Sequence, residues 1–142
     1  MADDALQLCT LRLDRHWFGI EVVQIQEILR AQPLTPVPLA PPVVRGLMNL
    51  RGQIVTALDL RRRLGLPDRP PDAEPTNVVV RTEDGVVSLL ADAVGDVIEV
   101  PRDSVERPPE ILRGPVRDLT RGACKLRDRL LLVLDTASVV RL

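Results

Sequence analysis

The sequence predicts a mainly β protein built from two similar small β-units. Short runs of Val, Leu and Ile are separated by turns that contain Gly, Pro or acidic residues, a pattern typical of short β-strands. The core has to be aliphatic, because Trp17 and Phe18 are the only Trp, Phe or Tyr residues among the 142. The third observation is an internal repeat, in which the second half of the chain copies much of the first.

The chain begins with a predicted hairpin and a short predicted helix. Residues 6–13 and 17–20 carry apolar patterns separated by a polar turn, as in a β-hairpin. The next apolar residues recur every three or four positions, which indicates about two turns of helix. These residues are Val22, Ile25, Ile28 and Leu29. Pro33 ends the helix, because proline cannot donate a backbone hydrogen bond.

A proline-rich connector leads into the stretch around which the chain is organised. Residues 33–42 contain five prolines, which favour an extended segment over a regular ladder of strands. Residues 46–52 are predicted to form a glycine-flanked turn, and the apolar residues 54–58 predict a buried strand. Asp59 is expected to cap a short basic helix at residues 61–63, whose arginines form a solvated face.

The second half is expected to hold a hairpin, an irregular segment and a final strand. A polar, proline-rich surface loop at residues 67–75 leads into it. The hairpin strands are residues 77–81 and 86–91, the irregular segment is 101–121, and the last strand is 130–134. Asp135 then caps a closing turn of helix.

The internal repeat gives the most informative pattern in the sequence. Residues 46–59 align with residues 122–135 at a constant offset of 76. The upstream segments align at an offset of 69, which places Ile25 opposite Val94. Each half therefore contains a hairpin, a Val- and Ile-rich connector, a proline, a glycine turn, a strand and an aspartate, in that order.

This repeat predicts a single domain, residues 1–142, with two pseudo-repeats at about 6–71 and 76–140. A unit of about 70 residues buries too little surface to be reliably stable alone. We therefore expect one small barrel per half and a core shared between the two barrels. The two halves are also able to exchange strands.

The composition argues against nucleic acid, membrane insertion and disulfide bonds. The net charge of −1 gives no long-range attraction to phosphate or to anionic lipid. No apolar run approaches the roughly 20 residues that cross a bilayer. The acidic N-terminus lacks a signal-peptide pattern, so we expect a cytoplasmic protein. Cys9 and Cys124 lie in separate apolar runs and are expected to be buried free thiols.

Patterns for metal binding and catalysis are weak in this chain. His16 is the only histidine, and no phosphate-binding glycine motif occurs, so we expect no metal and no cofactor. Asp59 and Asp135 end equivalent strands, which leaves a hydrolase with an aspartate pair as one alternative. Helix capping by each aspartate is favoured, because Asp59 is followed by an arginine and lacks a neighbouring hydroxyl.

The arginines leave a nucleic-acid binder as a second alternative. Small barrels bind single strands through aromatic stacking on a basic face, but this chain offers only two such aromatic side chains. Arg51 differs from the other arginines, because it lies in the predicted tight turn between Asn49 and Gly52. Its planar guanidinium suits either a structural role in the turn or the binding of a partner protein.

Several short motifs resemble those of one protein family. The Gly-x-x-Asn-Leu-Arg-Gly sequence of residues 46–52 is the most specific of them. With it, the chain resembles the CheW-like chemotaxis coupling proteins from about residue 6 to residue 140. The further matching pieces follow in the family's order. They lie at residues 17–20, 23–28, 37–41, 58–61, 91–97 and 132–135.

The resemblance implies two intertwined, SH3-like, five-stranded β-barrels with short helices. It also implies a non-enzymatic adaptor that couples chemoreceptors, the methyl-accepting chemotaxis proteins, to a CheA-type histidine kinase. The expected partners are the regulatory domain of the kinase and the cytoplasmic tip of the receptor, beneath membrane receptor arrays. The implied partner-binding residues are Val22, Ile25, Glu27, Arg45, Gly46, Asn49 and Arg51.

The chain departs from the family pattern in several places. Thr56 stands where the family often has proline, Leu58 replaces a common β-branched residue, and residues 101–121 match poorly. These departures leave open a specialised member that serves a pathway other than flagellar swimming.

Overall fold

The computed structural model describes residues 4–142, and this part of the chain contains ten strands and three short helices. In chain order they are β1 (Ala5–Leu13), β2 (His16–Glu21), β3 (Ile25–Leu29), β4 (Val44–Leu50), β5 (Gln53–Asp59), α1 (Leu60–Arg63), β6 (Thr76–Thr82), β7 (Gly85–Ala91), β8 (Ala93–Pro101), α2 (Gly114–Asp118), β9 (Thr120–Lys125), β10 (Leu130–Leu134) and α3 (Thr136–Val139). Two 3-10 turns, Val22–Gln24 and Arg102–Ser104, follow β2 and β8.

The strands form two five-stranded sheets. The strand order is β8-β1-β2-β10-β9 in the first sheet and β3-β6-β7-β5-β4 in the second. β2 pairs in parallel with β10, and β7 pairs in parallel with β5, whereas the other neighbours are antiparallel. Each sheet therefore takes a hairpin from one half of the chain and three strands from the other half. The predicted mainly β class with two five-stranded units is confirmed.

The two sheets share one topology. Strands β1–β5 correspond, in order, to strands β6–β10. Exchanging each strand with its counterpart converts the first strand order into the second. The offset of 76 also converts α1, Leu60–Arg63, into α3, Thr136–Val139. The sheets are thus related by an approximate internal two-fold symmetry of topology. The boundaries 6–71 and 76–140 of the pseudo-repeats stay a prediction.

One isolated β-bridge closes each sheet into a small barrel. In the second sheet, Thr35 follows edge strand β3 and exchanges two backbone hydrogen bonds of 2.8 Å with Leu47 of edge strand β4. In the first sheet, Glu106 follows edge strand β8 and makes the same exchange with Ala123 of edge strand β9, at 2.8 and 2.9 Å. The two edge strands of each sheet are therefore joined through backbone hydrogen bonds of the bridging residue.

Three apolar clusters fill the interior. Leu6, Leu8, Val100, Cys124, Leu131 and Val133 pack inside the first barrel, and Met48, Leu50, Val55 and Val79 pack inside the second. The largest cluster, the shared core, takes residues from both sheets and from α1 and α3. Along β10, Leu131 and Val133 face the barrel interior, whereas Leu132 and Leu134 face the shared core. Such strands are buried on both faces, because side chains alternate along a strand.

The helix predicted from Val22 to Leu29 is wrong. The segment forms the 3-10 turn Val22–Gln24 and then strand β3, in which Ile28 pairs with Val78 of β6. A two-turn helix has few hydrogen bonds of its own and is marginal without tertiary support. Pairing with β6 satisfies the backbone of β3 instead, and β-branched side chains suit a strand.

The sequence also misses strands that contain glycine, among them β4 and β9. Residues 46–52 are predicted as a turn, but β4 continues to Leu50 and leaves only Arg51 and Gly52 in the turn. Similarly, β9 occupies Thr120–Lys125, where the sequence indicates irregular structure and a glycine turn. Glycine weakens a strand in general, so a strand pattern that contains it is hard to recognise.

The remaining predicted elements are confirmed. The two hairpins are β1–β2 and β6–β7, residues 54–58 lie within β5, and the final strand is β10. The segment 67–75 contains no strand or helix. The segment 101–121 is irregular apart from its 3-10 turn, α2 and the ends of two strands.

Two equivalent glycines, Gly46 and Gly122, allow the barrels to close. A Cβ atom on Gly46, whose φ is +149°, would lie 2.7 Å from the carbonyl oxygen of Thr35. A Cβ atom on Gly122 would lie 2.9 Å from the carbonyl oxygen of Glu106. Both contacts are too short for a side chain, so the closing segment can reach the edge strand only over glycine.

Replacing either glycine by alanine is expected to open the corresponding barrel. We expect Gly122→Ala to lower the free energy of unfolding by about 1–3 kcal/mol through overpacking, and Gly46→Ala by about 2–4 kcal/mol because backbone strain adds to it. Urea unfolding followed by circular dichroism measures both values. Gly52→Ala is the control, because a Cβ atom there meets open space and leaves only the strain of a φ of +86°. Equal losses in all three variants would contradict the closure role.

Candidate functional site

The predicted partner-binding residues gather at one place on the second barrel. Strands β3 and β4, the two edges of its sheet, meet where the barrel closes. We call the 3-10 turn before β3, β3 itself, β4 and the β4–β5 turn the closing edge. The seven predicted residues all lie on the closing edge. They are Val22, Ile25, Glu27, Arg45, Gly46, Asn49 and Arg51.

An ion pair joins the two strands of the closing edge. Nη2 of Arg51 donates to Oε2 of Glu27, across 24 positions of sequence. This hydrogen bond lowers the pKa of the Glu27 carboxyl group and raises the pKa of the Arg51 guanidinium. The Arg51 side chain remains 67% exposed, whereas Glu27 is 21% exposed. The glutamate therefore orients the guanidinium while leaving most of it available to another molecule.

The backbone of the β4–β5 turn presents Arg51 outward. Arg51 and Gly52 form the two-residue turn of the hairpin, with φ values of +52° and +86°. Positive φ at both positions is typical of a type I′ turn. The Oδ1 atom of Asn49 accepts a 2.8 Å hydrogen bond from the backbone N–H of Gly52. Asn49 thus holds the turn that places an arginine in a conformation normally left to Gly or Asn.

The other predicted residues contribute differently to the closing edge. Val22 and Ile25 are half-buried and pack against the shared core, so they present only part of their apolar surface. Arg45 is 43% exposed, and its Nη1 atom lies 3.4 Å from Oδ2 of Asp59. Gly46 is buried beneath Thr35 and acts in barrel closure, so its contact with a partner stays a prediction.

Sequence reasoning missed exposed apolar side chains beside these residues. Val23 is 73% exposed, Ile54 62% and Ile28 44%. Ile54 pairs with Asn49 across the β4–β5 hairpin, and Ile28 is the neighbour of Glu27 in β3. The alternation of β5 carries the signal, because Val55 and Ala57 are buried and Ile54, the neighbour of Val55, faces outward. The closing edge therefore carries an exposed arginine, and exposed aliphatic side chains lie on it and on the adjoining strand β5.

A second charged group, buried rather than exposed, lies behind the closing edge. Arg61 is only 9% exposed, and its Nε and Nη2 atoms lie 2.9 and 2.5 Å from the two oxygens of Asp92. Arg69 joins both acids, with Nε 3.2 Å from Asp92 and Nη1 3.5 Å from Asp59. We call these four residues, Asp59, Arg61, Arg69 and Asp92, the buried charge network.

This network corrects the expected solvated face at residues 61–63. Arg61 points into the protein, and Arg63 donates to the carbonyl oxygens of Val139 and Ser138 at 2.8 and 2.9 Å, at the end of α3. Only Arg62 of the three pairs with an exposed acid, Asp68. The expectation is wrong because each arginine finds a partner that is distant in sequence or lies on the following loop.

Both candidate catalytic aspartates cap helices, as the preferred interpretation predicts. Asp59 accepts a hydrogen bond of 3.0 Å from the backbone N–H of Arg61. Asp135 accepts from the backbone N–H and the hydroxyl of Ser138, at 3.3 and 2.9 Å. Each carboxylate thus caps its own helical turn, and Asp59 also belongs to the buried charge network.

Burial and charge act in opposite directions on Asp92. Burial alone raises the pKa of its carboxyl group, but hydrogen bonds from Arg61 and from the backbone N–H of Asp14 lower it further than burial raises it. The net result is a pKa below the ordinary value of 3.8. Asp92 is therefore charged at neutral pH, and this charge balances the buried guanidinium groups.

The cysteines and the wider chain add little reactive chemistry. Cys9 and Cys124 are free and buried, as predicted, and burial raises the pKa of both thiols. Across residues 4–142, no three His, Cys, Asp or Glu side chains are grouped so that they could hold a metal ion. No helix in the same range has the length and the apolar character needed to cross a bilayer.

The protein is a double-barrel β domain, because two closed barrels share one core. At one closing edge it presents an oriented but exposed arginine, as expected of a surface that binds another macromolecule. The model of the CheW-like domain matches residues 7–142. The chain therefore belongs to the CheW-like family.

Known proteins agree with this assignment over most of the chain. A chemotaxis protein CheW of Treponema pallidum is 28% identical over 94% of this chain and 81% of its own length. A chemotaxis protein CheW of Rhizobium meliloti is 30% identical over 94% of this chain and 86% of its own length. The crystal structure of the scaffolding protein TtCheW from Thermoanaerobacter tengcongensis matches the fold with a TM-score of 0.86, at 22% identity, over 96% of this chain and 88% of that one.

Removing the charge of Asp92 is expected to destabilise the protein at neutral pH. Asp92→Asn leaves two buried guanidinium groups without their shared acid, so we expect a loss of about 3 kcal/mol in the free energy of unfolding at pH 7. Because the folded pKa lies below the unfolded one, the native protein loses this stabilisation as the pH falls below about 4. Urea unfolding of both proteins at pH 7 and pH 3 should show the difference shrinking in acid.

Asp68→Asn is the matched control for this measurement. Asp68 pairs with Arg62 at the surface, where its side chain is 63% exposed, and solvent screens such pairs. The control should therefore unfold almost like the unchanged protein at pH 7. A control loss as large as that of Asp92→Asn would contradict the role given to the buried charge network.

Proposed function

We propose that this protein is a non-enzymatic adaptor that couples chemoreceptors to a CheA-type histidine kinase in chemotaxis signal transduction. The observation that carries the proposal is the exposed Arg51, oriented by Glu27, within the family motif Gly-x-x-Asn-Leu-Arg-Gly. Membership of the CheW-like family supports it, because relatives that cover most of the chain are chemotaxis proteins. The adaptor works in the cytoplasm and reaches the membrane only through its partners.

The double barrel acts as a rigid block with two binding faces. The shared core fixes the two barrels to each other, so a partner bound to one barrel is held in a set orientation to a partner on the other. The receptor's cytoplasmic tip binds the closing edge, where Ile28 and Ile54 supply apolar area beside Arg51. The regulatory domain of the kinase, a barrel pair of the same type, docks on another face through the internal symmetry.

Neither alternative function gains support from the geometry. A nucleic-acid binder needs free basic side chains, but Arg61 and Arg69 are buried in the charge network and the net charge is −1. A hydrolase with an aspartate pair needs two free carboxylates that share a site. Asp59 and Asp135 are each held by donors of their own helical turn.

Binding of the two partners tests the proposal. The purified protein should co-sediment with receptor fragments and with the kinase from its own organism. Arg51→Glu should weaken this binding by about tenfold or more, because arginines at the centre of an interface carry much of its affinity. The melting temperature should stay unchanged. Failure of the unchanged protein to bind either partner would overturn the adaptor function.

Two further variants separate contact from positioning. Arg127 occupies the position equivalent to Arg51 in the β9–β10 turn and is exposed, so Arg127→Glu is a matched control that should retain binding. The double variant Arg51→Glu with Glu27→Arg reverses the ion pair and leaves its partners in place. If Arg51 contacts the partner directly, this double variant should also bind poorly. Restored binding would show that only the ion pair between β3 and β4 matters.

A further inference from the structure

The internal symmetry makes two corners of the protein comparable. In the first corner, α1 lies beside the β1–β2 turn, and in the second, α3 lies beside the β6–β7 turn. The offset of 76 places Ala137 of α3 where Arg61 stands in α1. The offset of 69 places Glu83 where Asp14 stands in the turn.

A guanidinium fills the first corner. Arg61 extends from α1 to Asp92, and its Nη1 atom donates to the carbonyl oxygen of Pro67 at 3.0 Å. Asp92 is fixed in turn by the backbone N–H of Asp14, at 2.8 Å. The corner between the short helix and the hairpin turn thus holds one arginine side chain with its charge neutralised.

The second corner is open. Ala137 carries no side chain beyond Cβ, and a groove of about 470 Å³ takes the place of the arginine. The groove is lined by the hairpin turn with Glu83 and Asp84, and by Thr136, Ala137 and Val140 of the α3 segment. This volume is large enough for an arginine side chain, whose methylene stem would lie against Ala137 and Val140.

Two acidic side chains at the groove are available for a cationic guest. Glu83 and Asp84 are exposed, and neither forms an ion pair with any of residues 4–142. Two arginines also line the groove, but Arg81 already donates to the carbonyl oxygen of Val23 at 3.2 Å. Arg141 is the other, and its side chain is exposed to solvent. A neighbouring arginine does not exclude a guest, since two arginines share one acid in the first corner.

A buried polar atom at the groove also lacks a partner. The hydroxyl of Thr136 is the one side-chain group in residues 4–142 that is buried without a hydrogen bond. Its counterpart in the first corner is Leu60, which needs no partner. An unsatisfied buried hydroxyl costs free energy, so a ligand that brings a hydrogen-bonding group to it removes that cost.

We propose that this groove binds an arginine side chain of a partner protein, with Glu83 and Asp84 in the part that Asp92 plays for Arg61 in the first corner. The proposal rests on the adaptor function, since it assigns an additional anchor point to a protein that binds others. Arginine fits better than lysine, because Arg61 uses its planar fork to reach a carboxylate and a carbonyl oxygen together. The partner supplies the guanidinium, and Glu83 and Asp84 supply the negative charge.

A small probe tests the groove without knowledge of the partner. The full chain, labelled with ¹⁵N, is titrated with N-acetyl-arginine methylamide and followed by NMR. We expect saturating shifts of the backbone amides of Glu83, Thr136 and Ala137. The citrulline analogue has the same shape without the charge and should bind about tenfold more weakly, since charge-assisted hydrogen bonds are stronger than neutral ones. Equal shifts with both probes, or none at these amides, would overturn the proposal.

Filling the groove from within gives a second test. Ala137→Arg supplies the side chain that Arg61 supplies in the first corner, and should abolish the shifts caused by the arginine probe. It should also weaken co-sedimentation with the partners by about tenfold or more, at an unchanged or higher melting temperature. Ala73→Arg adds the same side chain to an exposed loop and should leave binding unchanged.

The outcomes separate this proposal from the adaptor function. If Ala137→Arg binds receptor and kinase as tightly as the unchanged protein, the groove proposal fails and the adaptor function stands. If the unchanged protein binds neither partner, the adaptor function fails, and the NMR titration alone decides whether the groove accepts a guanidinium. The double variant Glu83→Gln with Asp84→Asn should have a lower affinity for the arginine probe, because it removes the negative charge. An undiminished affinity would contradict the charge argument.

Discussion

The shared core is the interaction on which the rest of the structure depends. Strands such as β10 give one face to a barrel interior and the other to the shared core, so these strands belong both to a barrel wall and to the contact between the barrels. A buried Leu, Ile or Phe contributes about 1.5–3 kcal/mol, and neither barrel interior holds enough of them to be stable alone. The two barrels therefore form one cooperative unit, which suits the rigid adaptor that we propose.

The two halves of the chain share one backbone topology but differ in their charged side chains. Both halves repeat the closing bridge, the glycine beneath it and the aspartate N-cap, which are requirements of the fold. The differences lie in side chains that the fold does not require. Arg51 pairs with Glu27 at one closing edge, and Arg61 fills one corner while Ala137 leaves the other open. The surfaces proposed to bind partners thus lie where the two halves differ.

The sequence predicts the parts of the fold that follow from local patterns well and the long-range contacts poorly. The offset of 76 places β5 and β10, together with Asp59 and Asp135, because a strand followed by a cap is a local pattern. Strand β3 is missed, since its apolar residues also fit a helical period and only pairing with β6 decides between the two. The burial of Arg61 depends on Asp92, 31 residues away, and no local pattern indicates which of three successive arginines turns inward.

The exchange of strands between the halves also sets the order in which the protein can be completed during synthesis. Strands β1 and β2 leave the ribosome before the other strands of the domain, yet their sheet neighbours β8, β9 and β10 are the last strands of the domain to be made. All strands of the second barrel are present once β7 has emerged, because it contains only β3 to β7. The β1–β2 hairpin must wait with its apolar face exposed until β10 has emerged. The first strands of the domain to be made are therefore among the last to be buried.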